Sequence, residues 1–199
     1  MDFKIKEAKP EAASKEKYTY RDYLTWSHEE RWELIDGVPY NMTPAPSRRH
    51  QEVLGALYVQ FFLFLEGKPC KVYLAPFDVR IPEEDKEDQL IQTVVQPDLV
   101  IVCDQTKLDE KGCKGVPDLV VEVLSPHTAG KDLKLKMDLY ERVGVKEYWV
   151  VHPIDQTLLV FKYKEGKYIK PESYIKGDKI LASILVDELS IDLAKVFME

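Results

Sequence analysis

Two acids stand where acids are costly. Glu122 interrupts the apolar run 119–124, the kind of segment that forms a strand buried on both faces. Asp98 follows Pro97 at the start of a second such run, 99–102. An ionised carboxylate in these surroundings needs a partner cation or a proton. If the two strands pair or lie one apart, the acids come within a few Å of each other. Close carboxylates repel, so either they share a proton or a divalent cation holds both ionised. An all-oxygen pair suits Mg2+ or Mn2+, which keep several waters, and no Cys/His cluster accompanies it to suit zinc. Such a centre activates a water and clamps a phosphate. It also needs a positive group beside the developing charge. The periodicity predicts a helix over about 130–143, on which Asp132, Lys136 and Tyr140 recur every four residues and so share one face. Lys136 is the candidate cation. Asp118 precedes Glu122 on the same strand by ~13 Å at ~3.3 Å per residue, too far to share one ion.

The elements that must position these groups follow from the local pattern. Thr19 opens a short helix, with Asp22 at its third position. Ser27-His28-Glu29-Glu30 fits a capping box, which predicts a second helix carrying Trp32, Glu33, Leu34 and Ile35 and ending at Gly37. Residues 38–42 suit a strand. Ser47 can cap a long helix to about Leu65 with a wide apolar face, and Arg48, Arg49 and His50 in its first turn suit an anion or the site wall. Strands are expected at 70–75, 77–81, 94–103, 119–124 and 146–152, with a hairpin at 157–163 and 167–169. Short strands follow in 173–184, and 191–197 suits a terminal helical turn. The acid-rich segment 82–93 reads as solvated loop, as does the polar segment 104–115. Pro97 within 94–103 implies an edge or a bulge. This order predicts an α/β (α+β) fold, a central mixed sheet flanked by helices.

Composition bounds the rest. The chain has 199 residues, 45% of them hydrophobic and 32% charged, which fits one globular domain over 18–199 behind a flexible N-terminal arm, 1–17. The formal net charge of −7 disfavours a broad non-specific hold on duplex nucleic acid. A local basic groove from Arg48, Arg49, Lys111, Lys114, Lys131 and Lys134 is compatible with it. Three cysteines without paired spacing suggest thiols and a cytoplasmic location rather than a disulfide framework. No apolar run approaches the ~20 residues of a membrane span.

These residues resemble a known family. Pro97-Asp98, then Glu122 on a buried strand followed by a helix, is similar to the PD-(D/E)XK nuclease superfamily with its restriction-endonuclease-like fold. More narrowly, WELIDG at 32–37, MTPAPSRRH at 42–50, QPDLVIV at 96–102, PDLVVEVLSP at 117–126 and GVKEYWVVHP at 144–153 resemble the Uma2 family. In the superfamily a lysine stands two residues after the acid. Here that position is Leu124, so the resemblance implies that Lys136 of the following helix serves instead. It further implies Mg2+- or Mn2+-dependent DNA hydrolysis, with Asp98 and Glu122 binding metal, Glu33 completing the site and Lys136 orienting water. Cutting both strands favours a homodimer. The other readings are a nuclease-fold protein that binds without cutting, and a structural oligomer in which Glu122 and Lys136 form a buried ion pair.

Overall fold

The computed structural model describes residues 16–26, 30–42, 45–83, 87–125, 131–182 and 189–198, with 131 and 132 described in the backbone alone. Most of the expected N-terminal arm and the 27–29 part of the capping box lie outside the described residues. The elements are α1 (Tyr20–Tyr23), β1 (Trp32–Ile35), β2 (Val38–Asn41), α2 (Arg48–Leu65), β3 (Lys71–Leu74), β4 (Val79–Arg80), β5 (Val94–Val95), β6 (Leu99–Val102), β7 (Leu108–Asp109) and β8 (Gly112–Lys114). They continue with β9 (Leu119–Val123), α3 (Lys131–Val143), β10 (Glu147–His152), β11 (Thr157–Lys164), β12 (Lys167–Tyr168), β13 (Glu172–Ile175), β14 (Lys179–Ala182), β15 (Leu189–Asp192) and α4 (Leu193–Val196). The fold is mixed α+β, as expected.

The main sheet runs β12-β11-β10-β9-β6-β3, with β13 also on β11. Its centre is mixed: β9 is parallel to β10 and antiparallel to β6. α3 is therefore the crossover between two adjacent parallel strands. Every residue of β9 is buried, and the strand's alternation explains why. Leu119, Val121 and Val123 pack with Val53, Leu57 and Phe61 of α2, whereas Val120 joins Val150, Tyr148 and Tyr140 on the opposite face. Glu122 alternates in step with Val120, so it points to the α3 side.

A smaller sheet, β2-β1-β5-β4-β8-β7, stands beside the first. Here the structure corrects the sequence reading. Residues 32–35 are not helix but β1, and Ile35 pairs with Val38 across a two-residue turn in which Asp36 and Gly37 have φ of 52° and 80°. Asp-Gly between hydrophobic runs is a strong hairpin signal, because both turn residues must adopt positive φ. The segment 94–103 is not one strand either: β5 lies in the small sheet and β6 in the main one, so Gln96-Pro97-Asp98 carries the chain from one to the other. The segment 104–115 contains the β7–β8 hairpin. Asp88, expected in solvent, pairs at 2.6 Å with the fully buried Arg80.

The expectation of free thiols is also overturned. Cys70 and Cys103 flank the β3–β6 ladder, where Lys71 faces Val102, and they form a disulfide across 33 residues of sequence. The ladder brings them together, and no spacing rule could. Cys113 remains a buried free thiol, pushed up to about 11 by its burial. Among the described residues no helix is long and apolar enough to cross a membrane.

Gly112 joins the small sheet to the site. A Cβ there would lie 2.3 Å from the Asp78 carbonyl oxygen, and its φ is +120°. Asp78 accepts from Gln96 Nε2 at 2.8 Å, and the Gln96 N–H is donated to Glu33. Gly112→Ala is therefore expected to destabilise by about 2–3 kcal/mol, the scale of a strained backbone position. Denaturant unfolding of the variant checks this.

Candidate active site

The β6–β9 ladder decides where the acids fall. Leu99 faces Val121 and Val100 faces Val120, so one step further Asp98 faces Glu122. Directly opposite residues of an antiparallel pair project to the same face. The turn at Pro97 also leaves backbone donors beyond the ends of the ladder, and the acids cap them. Asp98 Oδ2 accepts the Val123 N–H at 2.8 Å, and Glu33 Oε1 accepts the Gln96 N–H at 2.8 Å. Glu33 reaches this point from β1, a strand rather than the helix expected for it.

Lys136 of α3 closes the arrangement. Its Nζ lies 2.9 Å from Glu122 Oε1 and 2.9 Å from Glu33 Oε1. One helical turn on, the Tyr140 hydroxyl donates to the same Glu122 oxygen at 2.9 Å. His50, in the first turn of α2 behind the Ser47 cap, sets Nε2 3.2 Å from Asp98 Oδ2. Asp132 lies in the first turn of α3, and its side chain is outside the described residues. Asp118 is at the other end of β9, where it binds the Cys103 N–H and Lys146 Nζ.

Glu33, His50, Asp98, Glu122 and Lys136 line one cleft of about 780 Å³, whose lining also includes Arg31, Tyr40, Arg49, Gln96, Leu124 and Tyr148. Of the six basic residues expected to form a groove, Arg49 is the one the described lining contains. Lys111 belongs to the β7–β8 hairpin of the small sheet and pairs with Asp88.

Two residues of the site escaped the sequence reading. Gln96, given no role within the expected strand 94–103, ties Glu33 to Asp78, Tyr23 and Arg31 through its own side chain and backbone. Tyr148 looked like core. Its ring is fully buried against Tyr140, but its hydroxyl has no hydrogen-bond partner among the described residues. A signal existed for Tyr148: it precedes Val150 by two in β10, on the face that Glu122 shares.

The electrostatics follow from burial. Removal from water pushes the Glu122 carboxyl up to about 7, with Lys136 pulling against the shift and the Asp98 and Glu33 carboxylates adding to it. Burial alone would push the Lys136 ammonium down, and the carboxylates of Glu122 and Glu33 more than reverse it. Lys136 therefore stays charged and cannot serve as a base. For His50 too, burial alone would lower the pKa, and the Asp98 carboxylate outweighs it. Tyr140 and Tyr148 are held well above their usual value, first by burial, and remain protonated donors.

A hard divalent ion suits this donor set. Glu122 and Glu33 share the Lys136 ammonium, and Asp98 faces His50. Among the described residues Asp98 Oδ1 and Glu122 Oε2 carry no hydrogen bond, whereas the other oxygen of each is engaged. No three His, Cys, Asp or Glu side chains among the described residues are gathered tightly enough to enclose an ion.

The ion triad has a testable signature in metal-free protein. The raised Glu122 pKa means that the folded state binds a proton more tightly than the unfolded chain. Its contribution to stability therefore falls as pH rises from about 4.5 through 7. Lys136→Met removes the compensating charge, so Glu122 should hold its proton to still higher pH. The variant is expected to lose about 3–5 kcal/mol at pH 8, the scale of an uncompensated buried charge, and to recover much of it at pH 5. Thermal melts across that range in chelator check the sign.

Comparison with known proteins places the chain in a family. A family model described as "Uma2: Putative restriction endonuclease" matches residues 20–194. An "Uncharacterized protein slr1290" of Synechocystis sp. is 30% identical over 128 residues, 62% of this chain. The matched stretch spans 62% of that relative's length. A crystal structure described as "a putative nuclease belonging to DUF820" from Anabaena variabilis superposes with a TM-score of 0.69 at 15% identity. That superposition covers 90% of this chain and 97% of the other, and at that identity it speaks for the fold. With the family model spanning all the site-bearing elements, the chain belongs to the Uma2 family.

Proposed function

We propose that the chain is a metal-dependent nuclease that hydrolyses phosphodiester bonds in DNA. The observation that carries this reading is the opposition of Asp98 and Glu122 on adjacent strands, with the Lys136 ammonium 2.9 Å from Glu122, inside an open cleft. Family membership supports it. Asp98 and Glu122 would hold Mg2+ or Mn2+ by their remaining oxygens, and the ion would neutralise the phosphate and acidify a water. In the reaction a water oxygen bonds to phosphorus as the water gives up a proton to solvent, the ester P–O bond breaks, and the departing alkoxide takes up a proton from solvent.

The chain's own residues divide the remaining work. Lys136 presents a fixed positive charge to the developing oxyanion and orients the water as a donor. Tyr140 and Lys136 together fix one oxygen of Glu122, so its other oxygen keeps a constant direction. His50 and the Val123 N–H do the same for Asp98. Glu33 anchors Lys136 from the small sheet and would complete the metal site from that side. Leu124 and the double pairing of Lys136 favour a second reading, a buried ion triad that only stabilises the fold. Activity separates the two.

Glu122→Gln keeps the shape and removes the charge. It is expected to lower Mn2+-dependent cleavage of plasmid DNA by roughly 10²–10³-fold, the scale of one preorganised electrostatic group, while the protein still melts cooperatively. Unchanged cleavage by purified Glu122→Gln would sink the assignment. Tyr148→Phe is expected to leave stability unchanged or raised, because a buried unpaired hydroxyl is removed. Denaturant unfolding of the variant checks this.

A further inference from the structure

Helix α2 has an apolar side that its own fold does not use. Val53, Leu54, Leu57, Phe61 and Leu65 belong to the core. On the opposite side Val59 is 52% exposed, Phe62 49% and Leu63 64%. The Tyr58 ring stacks on Phe62 with centroids 5.6 Å apart, so Phe62 is part of a fixed surface. No residue from 53 to 65 is charged, and Gln60 spends its amide on the Asp192 backbone. A surface helix ordinarily sets polar side chains opposite its core face, and one that is apolar on both sides is a covered one. Gly55 lies on the same open side, one turn before Val59. Glycine is among the poorest residues for a helix interior. Nothing in the chain requires it there: a Cβ would meet nothing within 4 Å outside the helix backbone. A missing side chain lets a second molecule approach closely. The charges at the two ends of this face indicate which molecule. Arg48, at the N-terminal end, has 84% of its side chain exposed, and its pairing with Glu52 is of the weak, solvated kind. Glu66, just past the C-terminal end, is exposed as well.

We infer that two copies of this chain pack through α2, antiparallel, about a two-fold axis at the level of Leu57. At 3.6 residues per turn, Arg48, Gly55, Val59 and Glu66 fall within about 40° of one line along the helix. The pairs 48/66 and 55/59 both centre on position 57. In the antiparallel pair Arg48 therefore faces Glu66 of the second copy at both ends, and Val59 faces its Gly55 twice at the centre. A parallel pair would set Arg48 against Arg48 and Glu66 against Glu66. A face that complements itself in this way makes a closed, isologous dimer. One helix from each copy covers less than the ~800 Å² per partner of a standard interface, so the dimer is expected to come apart on dilution. The inference stands or falls apart from the hydrolytic reading, because none of these four residues is among those proposed for chemistry.

Sedimentation velocity of the full chain over about two decades of concentration reads the association. The chain is expected to pass from monomer to dimer. Val59→Glu and Gly55→Leu are each expected to hold it monomeric throughout. Melting of the dilute variants is expected to be unchanged or raised, since each brings a better helix former to an open position. Arg48→Glu alone is expected to weaken the dimer roughly three- to tenfold, and Glu66→Arg added to it to restore the association. A chain that stays monomeric overturns the inference and leaves the face to a partner of another sequence. Undiminished association of Val59→Glu overturns it too. So does a double charge reversal that associates no better than the single one, because the antiparallel register then fails.

Discussion

The site depends on one ammonium group held by two carboxylates from different sheets. Lys136 lies 2.9 Å from Glu122 in the main sheet and 2.9 Å from Glu33 in the small one. Each carboxylate would be costly alone in its buried strand, and so would the ammonium in its helix. Together they compensate, and in doing so they fix the helix, the strand and the hairpin against one another. The same contact keeps Lys136 charged, which limits it to electrostatic and orienting roles.

The second constraint is the passage from β5 to β6. Proline cannot donate, and the chain changes sheets at Gln96-Pro97-Asp98, so the ladders on both sides end there. Backbone donors at such ends must find acceptors. Glu33 takes the Gln96 N–H and Asp98 takes the Val123 N–H. Two of the acids proposed for chemistry therefore also complete the backbone bonding of the fold. Replacing either disturbs both, so a charge-removing amide is more informative than alanine.

Much of this was legible in the chain. The both-faces-buried pattern of 119–123, the Ser47 cap and the four-residue spacing of Lys136 and Tyr140 each follow from short-range periodicity, and each corresponds to an observed element. What failed was long-range or two-valued. The Ser27 capping pattern competed with the Asp36-Gly37 turn for 32–35, and the turn won by pairing β1 with β2, while β5, far ahead in sequence, covers its other edge. One apolar run over 94–103 could not reveal that its halves serve two sheets. Cys70 and Cys103 meet only because β3 and β6 pair, and Tyr148 is indistinguishable from core until its hydroxyl is seen to lack a partner.

The helix bearing Lys136 is the covalent return path between β9 and its parallel neighbour β10. Its face toward Glu122 is set by connectivity, whatever residue stands at 124. The buried charge on β9 is thus balanced by the segment that closes the parallel crossover, so loosening that helix would strand Glu122 without its counter-ion.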